Sequence, residues 1–376
     1  MTSLRTISTR RLAAWIGAIV VLGLCGGAIA LAAGGGGPTP PPKPLARAAH
    51  DALAAPAPAG ITARVRFTNH LLGSSTFEGS DPILTGASGR MWLTKGHLRL
   101  ELQSSRGDAQ VVADDRTIWA YDPRSNTVYR GDTPHEFTDR AETSNPAPSV
   151  ADVQRFIDRL MNKAGVSGAT PVNVAGRPAY EVRLSPKPKA GLVSNAALAW
   201  DAANGVPLRV GIFAVGSSTP VLELTATDVS FGSVPSSTFD VTPPQGAKVV
   251  NVSAPSGSGG GKDEHPAGFS VSAPATLAGL PRNEVKHLDG GQVLVTYGRD
   301  LGGIGVLEQA AKPGADSGQA GGGGDFNLPG VSINGATGQE LSTPLGTVVQ
   351  FQRGGVSFTV AGSVPRAKAE AAARGL

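Results

Sequence analysis

From Thr62 to about Val250 the chain repeatedly places apolar and polar residues in strict alternation, and this pattern limits its fold more than any other feature. Ala63, Val65 and Phe67 share one face of an extended segment, while Arg64, Arg66 and Thr68 take the other. Leu98, Leu100 and Leu102 alternate with Arg99, Glu101 and Gln103, and Tyr180, Val182 and Leu184 alternate with Glu181 and Arg183. Val206, Leu208, Val210 and Ile212 repeat the theme, as do Leu222, Leu224 and Ala226. Successive side chains of a strand point to opposite faces, so period-two runs at short spacing define an antiparallel sheet with one buried face. Turn residues separate the runs at Thr94-Lys95-Gly96, Asp122–Asn126, Ala175–Pro178 and Ala202–Gly205. About ten strands are expected, and an apolar face that large must close, pair or be covered.

Two segments break the alternation with helical period. Leu45, Ala49 and Leu53 recur at i, i+4 and i+8, which predicts a short helix from Pro44. Ser149-Val150-Ala151-Asp152 offers a cap, and Val153, Phe156, Ile157 and Leu160 then form one stripe over Val150–Met161. That stripe is too apolar for a solvated connector. A Ser/Gly-rich linker, 251–264, ends the first folded region at 44–250. A second folded region, 265–376, carries strand patterns at Gln292–Tyr297, Ile304–Glu308, Thr347–Phe351 and Val356–Ala361, then a terminal Ala-rich helix. It reads as a small α+β domain.

The N-terminus bears on location. Leu12–Ala33 is an uncharged run of 22 residues, long enough as a helix to span a hydrocarbon core of about 30 Å. Arg5, Arg10 and Arg11 precede it and no charge follows at once, which puts the N-terminus in the cytoplasm and the bulk of the chain outside. Residues 1–37 are thus read as a cytoplasmic stub with a single-pass anchor, and 38–43 as a Gly/Pro tether. Ala28-Ile29-Ala30 and Ala30-Leu31-Ala32 also fit signal cleavage, so secretion after cleavage is the alternative; export follows either way. Cys25, the sole cysteine, lies inside the run after Leu24, where a lipoprotein signal would carry a small residue. It excludes an intramolecular disulfide and is read as a lipid-facing small residue. The net charge of +4 falls to +1 over the 339 residues after Gly37. That balance excludes the concentrated basic patch of a nucleic-acid binder.

No residue pattern calls for catalysis. The six histidines, His50, His70, His97, His135, His265 and His287, lack metal-ligand spacing, and the chain has no nucleophile elbow, P-loop or dinucleotide fingerprint. Asp114-Asp115 precedes a strand and reads as a turn. No cofactor or metal is expected. Trp92, Trp119 and Trp200 each lie in a strand run, where a large aromatic serves either as core or as cavity lining.

Several stretches carry a family resemblance: Gly89–Leu93, Leu98–Glu101, Val111–Pro123, Ala199–Asp201, Gly205–Arg209 and Val234–Ala247. In order and spacing they resemble the LolA-like superfamily, which comprises the lipoprotein carrier LolA and the N-terminal domain of RseB/MucB regulators. The second region is similar to an uncharacterised C-terminal domain of actinobacterial proteins, through Gly335–Gly338, Thr343–Thr347 and Gly362–Pro365. The resemblance implies an incomplete antiparallel β-barrel with a helical lid, whose apolar concavity takes acyl chains. On that reading Phe67, Trp92, Leu98, Leu100, Leu102, Trp119 and Trp200 line the cavity, and Phe156, Ile157 and Leu160 close it. The function implied is an anchored, non-catalytic lipid- or lipoprotein-binding protein of the cell envelope. The alternative is a sensor acting on a membrane anti-sigma factor or an envelope-stress pathway. Two departures stand: the chain is expected to be tethered, whereas a carrier shuttles, and the carrier's functional arginine has no aligned counterpart.

Overall fold

The computed structural model describes residues 37–71, 86–103, 108–123, 125–133, 148–251, 268–288, 291–311 and 329–376. The expected anchor over Leu12–Ala33, Cys25 and the linker core therefore lie outside the described residues. Among the described residues no helix is long and apolar enough to cross a membrane. The described chain forms two compact units. One comprises residues up to Ser185, Asn195–Ile212 and the stretch from Ser218 to 251; the other comprises Pro186–Ser194, Phe213–Ser217 and residues from 268 onward.

The first unit is built on one sheet of 13 strands, among the described residues. Its strands are β1 (Ile61–Asn69), β2 (Ala87–Thr94), β3 (His97–Gln103), β4 (Ala109–Ala113), β5 (Thr117–Asp122), β6 (Thr127–Asp132), β7 (Ala164–Val166), β8 (Thr170–Val174), β9 (Arg177–Pro186), β10 (Val193–Asp201), β11 (Pro207–Ala214), β12 (Leu222–Phe231) and β13 (Lys248–Asn251). The order is β13-β6-β5-β4-β3-β2-β1-β12-β11-β10-β9-β7, with β8 added on β9. β1 and β12 pair antiparallel at the centre of the path, whereas β13 joins β6 in parallel. No pairing joins β13 to β7 among the described strands, so the sheet curls as a half-barrel rather than closing.

Two helices belong to this unit, α1 (Leu45–Ala54) and α2 (Val150–Met161). The second starts on a capping box: the Ser149 hydroxyl oxygen accepts from the Asp152 amide at 3.2 Å, and the Asp152 carboxylate accepts from the Ser149 amide at 3.2 Å. Two otherwise unpaired amide donors at the helix start are satisfied this way. α1 buries Ala46 and Ala48, not the Leu45–Ala49–Leu53 stripe, and leaves Leu53 exposed. The reason is steric. α1 is wedged between α2, which meets Ala46, and the β9–β10 surface of Tyr180, Val182 and Trp200, which meets Ala48. Small side chains permit that double approach. A glycine serves the same end nearby, because a methyl group on Gly205 would collide with the Ala52 carbonyl.

The second unit carries a separate antiparallel sheet of eight strands among the described residues. These are β14 (Thr276–Leu277), β15 (Leu280–Leu288), β16 (Gln292–Tyr297), β17 (Ile304–Ala310), β18 (Gly330–Ile333), β19 (Ala336–Thr343), β20 (Gly346–Arg353) and β21 (Val356–Gly362), in the order β14-β15-β16-β17-β21-β20-β19-β18. The C-terminal helix α3 (Arg366–Arg374) sets Ala369, Ala372 and Ala373 against Val293, Val306, Val349 and Val360. Phe351 and Phe358 stack at 5.0 Å in the same core. Glu308 is fully buried there; burial pushes its carboxyl up, opposed by the Ser272 amide, which donates to it at 2.9 Å.

Candidate functional site

Register divides the central strands of the first unit into two faces of opposite chemistry. On the inner face the cross-strand row Ala63, Met91, Leu100, Val111 and Ala120 runs over β1 to β5. A parallel row joins Ile61, Leu93, Leu98, Ala113 and Ile118. Val65 and Leu102 flank Gly89 in a third row, and Leu224 packs on the same cluster from β12. Leu98 and Leu100 are 0% exposed and Leu102 3%, so the chain's own side chains fill this layer. A buried leucine of this kind contributes about 1.5–3 kcal/mol by leaving water.

The outer face carries Arg64 opposite Arg90, Arg90 opposite Glu101, and Trp92 opposite Arg99. The Trp92 ring lies 5.3 Å from the Arg99 guanidinium and 5.9 Å from that of Arg90. Arg99 also bonds the Glu101 carboxylate and donates to the Thr238 carbonyl at 2.7 Å. Further along, Val112, Trp119 and Val128 form a small cluster covered by Val241 and Ala247.

The ten residues expected at one ligand site fall into separate places. Phe67, Leu98, Leu100 and Leu102 meet on the inner face. Trp92 and Trp119 lie on the outer face, in different surroundings. Trp200 is buried beneath α1 with Ala48, Tyr180 and Val182. Of the α2 stripe, Val153 and Ile157 pack on Ala46 of α1, Leu160 is half-buried, and Phe156 is 59% exposed. Of the stripe, only Val153 and Ile157 are buried, and they pack on α1. Strand parity held the signal for the tryptophans. In Arg90-Met91-Trp92-Leu93 the inward pair is Met91 and Leu93, which leaves Trp92 beside Arg90.

A buried charged group escaped sequence reading. Glu181 accepts from Arg183 at 2.9 Å and pairs with Arg209 at 3.1 Å. Glu223 is 5% exposed, and burial pushes its carboxyl up to about 8, against the pull of Arg209 and Arg66. It therefore holds its proton at neutral pH. Burial also pulls the Arg209 guanidinium down, opposed by Glu181 and Glu223. Polar residues scattered over β1, β9, β11 and β12 meet only through the sheet, so no local motif announces them. Asp201, 1% exposed, pairs with Arg177 and accepts from the amides of Ala203 and Asn204, which locks the β10–β11 turn.

Asp114 forms a turn, as its sequence position suggests: its carboxylate accepts from the amides of Arg116 and Thr117, both at 2.7 Å. Burial pushes that carboxyl up, and these bonds outweigh it and hold it below the usual range. Among the described residues no three His, Cys, Asp or Glu side chains are grouped to hold a metal. His135 and His265 lie outside the described residues.

The first unit thus has the open, curled antiparallel sheet with inserted helices that the LolA-like resemblance implies. No family model matches the chain, and no curated protein matches it either. Among solved structures it is similar to the MucA/MucB complex of Pseudomonas aeruginosa, at 17% identity over 88% of this chain and 94% of that one, with a TM-score of 0.41. A putative outer membrane lipoprotein-sorting protein domain from Vibrio parahaemolyticus matches at 10% identity, covering 52% of this chain and 96% of that one, with a TM-score of 0.23. A LolA superfamily protein from Nitrosomonas europaea matches at 10% identity, covering 53% and 98%, with a TM-score of 0.21. Each is a likeness and assigns no role to a residue of this chain.

Proposed function

We propose that the first unit is a non-catalytic binding module that takes an acyl chain, as free lipid or as the lipid of a lipoprotein, on the inner face of its half-barrel. The observation that carries this reading is the continuous apolar layer of Ala63, Val65, Met91, Leu98, Leu100 and Leu102 inside a sheet that does not close. Burying about half of an ordinary acyl chain is worth roughly 6 kcal/mol, at about 0.8 kcal/mol per methylene, and needs no polar partner. Because the layer is filled at rest, access requires the unpaired ends of the sheet to part. The energy for that comes from the acyl contacts themselves.

The same proposal places the module outside the cytoplasm, held by the apolar run at Leu12–Ala33 or released after cleavage. A second reading, a sensor that reports ligand binding to a membrane partner, is favoured by the presence of a second compact unit after the first. Organic extraction of purified residues 38–376, followed by mass spectrometry, tests the first reading. Acyl species recovered near one per chain support it. Co-purification of a membrane protein without lipid favours the sensor.

A further inference from the structure

We propose that the outer face of the same sheet carries a binding site for a phosphate group, in a groove between Arg64 of β1 and Arg90 of β2. These arginines are direct cross-strand neighbours, and like charges so placed repel unless something shares them. Each has an acidic neighbour on its other side, Asp228 for Arg64 and Glu101 for Arg90. Neither acid neutralises its neighbour. Glu101 is engaged by Arg99, and among the described residues no carboxylate lies within ion-pair distance of the Arg64 or Arg90 side chains. Both arginines are exposed and neither is held by a carboxylate, the Arg90 guanidinium resting only against the Trp92 ring at 5.9 Å.

The groove has a volume of about 390 Å³, and Ser88, Gln103 and Thr227 line it with the two arginines. A local irregularity helps to shape it. β12 bulges where Arg64 pairs with Asp228 and Val65 with Ala226, which leaves Thr227 as the extra residue; its hydroxyl donates to the Arg64 carbonyl at 3.3 Å. Bulges re-aim side chains in this way beside binding sites.

The donor set points to phosphate rather than to a lone carboxylate. A carboxylate is satisfied by one guanidinium fork, whereas two forks with the Gln103 amide and the Ser88 hydroxyl match the three or four oxygens of a phosphate. The volume exceeds that of a bare anion, so it suits a phosphate ester, either a soluble one or a lipid headgroup. The site does not rest on the acyl-chain reading: Arg64 and Arg90 stand on the face opposite Leu100, and Val65 alone is common to the groove's lining and the named apolar layer.

The test is calorimetric titration of the full chain with inorganic phosphate, paired with flotation on phosphatidylcholine vesicles with and without phosphatidylglycerol. Arg64→Gln with Arg90→Gln should weaken phosphate binding by about tenfold or more, from the loss of charge-assisted hydrogen bonds. Arg130→Gln with Lys248→Gln, an equal charge loss at exposed positions, should not. Gln103→Glu keeps the shape and adds a negative charge, so it should weaken binding even if the double variant folds poorly. Flotation that needs phosphatidylglycerol and is lost with the arginines identifies a headgroup; phosphate binding without such flotation identifies a soluble ester. Equal weakening in the Arg130/Lys248 control, or neither phosphate binding nor headgroup-dependent flotation, overturns the site.

Discussion

Glu223 is the residue at which burial and charge meet most sharply. Its carboxyl is pushed up to about 8 from an ordinary 4.5, with Arg209 and Arg66 opposing. The folded chain therefore keeps a proton that the unfolded chain has already released. Stability contributed by the protonated form is complete below about pH 4.5 and is lost as pH rises toward 8. Glu223→Gln fixes the neutral form, so its denaturant midpoint should fall less than that of the parent between about pH 5 and pH 9. Equal declines in the two proteins would show that Glu223 is not the group responsible. Leu100, 0% exposed at the middle of the inner rows, makes a simpler case. Leu100→Ala should cost about 2–5 kcal/mol in urea unfolding, because the rows on both sides restrict collapse into the cavity. A cost below 1 kcal/mol, in the range of surface changes, would mean the inner layer is loosely packed.

At the scale of elements, α2 shows what periodicity can and cannot tell. Its bounds, Val150–Met161, and its cap at Ser149 were legible, since an amphipathic stripe and a capping pair are local signals. Its seat was not, because the stripe reports that an apolar neighbour exists without naming it. The neighbour is α1, against which Val153 and Ile157 are buried with Val150 partly buried beside them. Phe156→Asp should therefore shift stability by no more than about 0.5 kcal/mol. Ile157→Asp should cost several times that, by removing roughly 1.5–3 kcal/mol of burial and placing a charge at the helix contact. Hydrogen exchange should show α1 and α2 opening together in Ile157→Asp while β1 to β5 stay protected. Matching effects from the two variants would contradict this seat. Strands followed the same rule: β1, β3 and β9 were legible from alternation, whereas β15 was not. Its sequence Leu280–Leu288 opens with Pro281, Arg282, Asn283 and Glu284, all exposed, so no apolar face marks it.

At the scale of the whole molecule, the half-barrel followed from the number of alternating runs and from the family resemblance, while the partition of its two faces needed register. Residue type alone grouped the tryptophans with the leucines; pairing put Trp92 between arginines and Trp200 beneath a helix. The inner apolar layer was thus legible at Phe67, Leu98, Leu100 and Leu102, which alternate in plain view. Location remains a proposal carried by Arg5, Arg10 and Arg11 ahead of the apolar run. A phosphatase reporter fused after Leu376 should be active outside the cytoplasm, and activity confined to the cytoplasm would reverse the topology. The acyl-binding account is tested most directly by the lipid content of purified residues 38–376. Liquid chromatography and mass spectrometry of their organic extract should recover acyl chains near one per protein, displaced when a fluorescent fatty acid is added. Folded protein that yields no acyl species and takes up no fatty acid would contradict it.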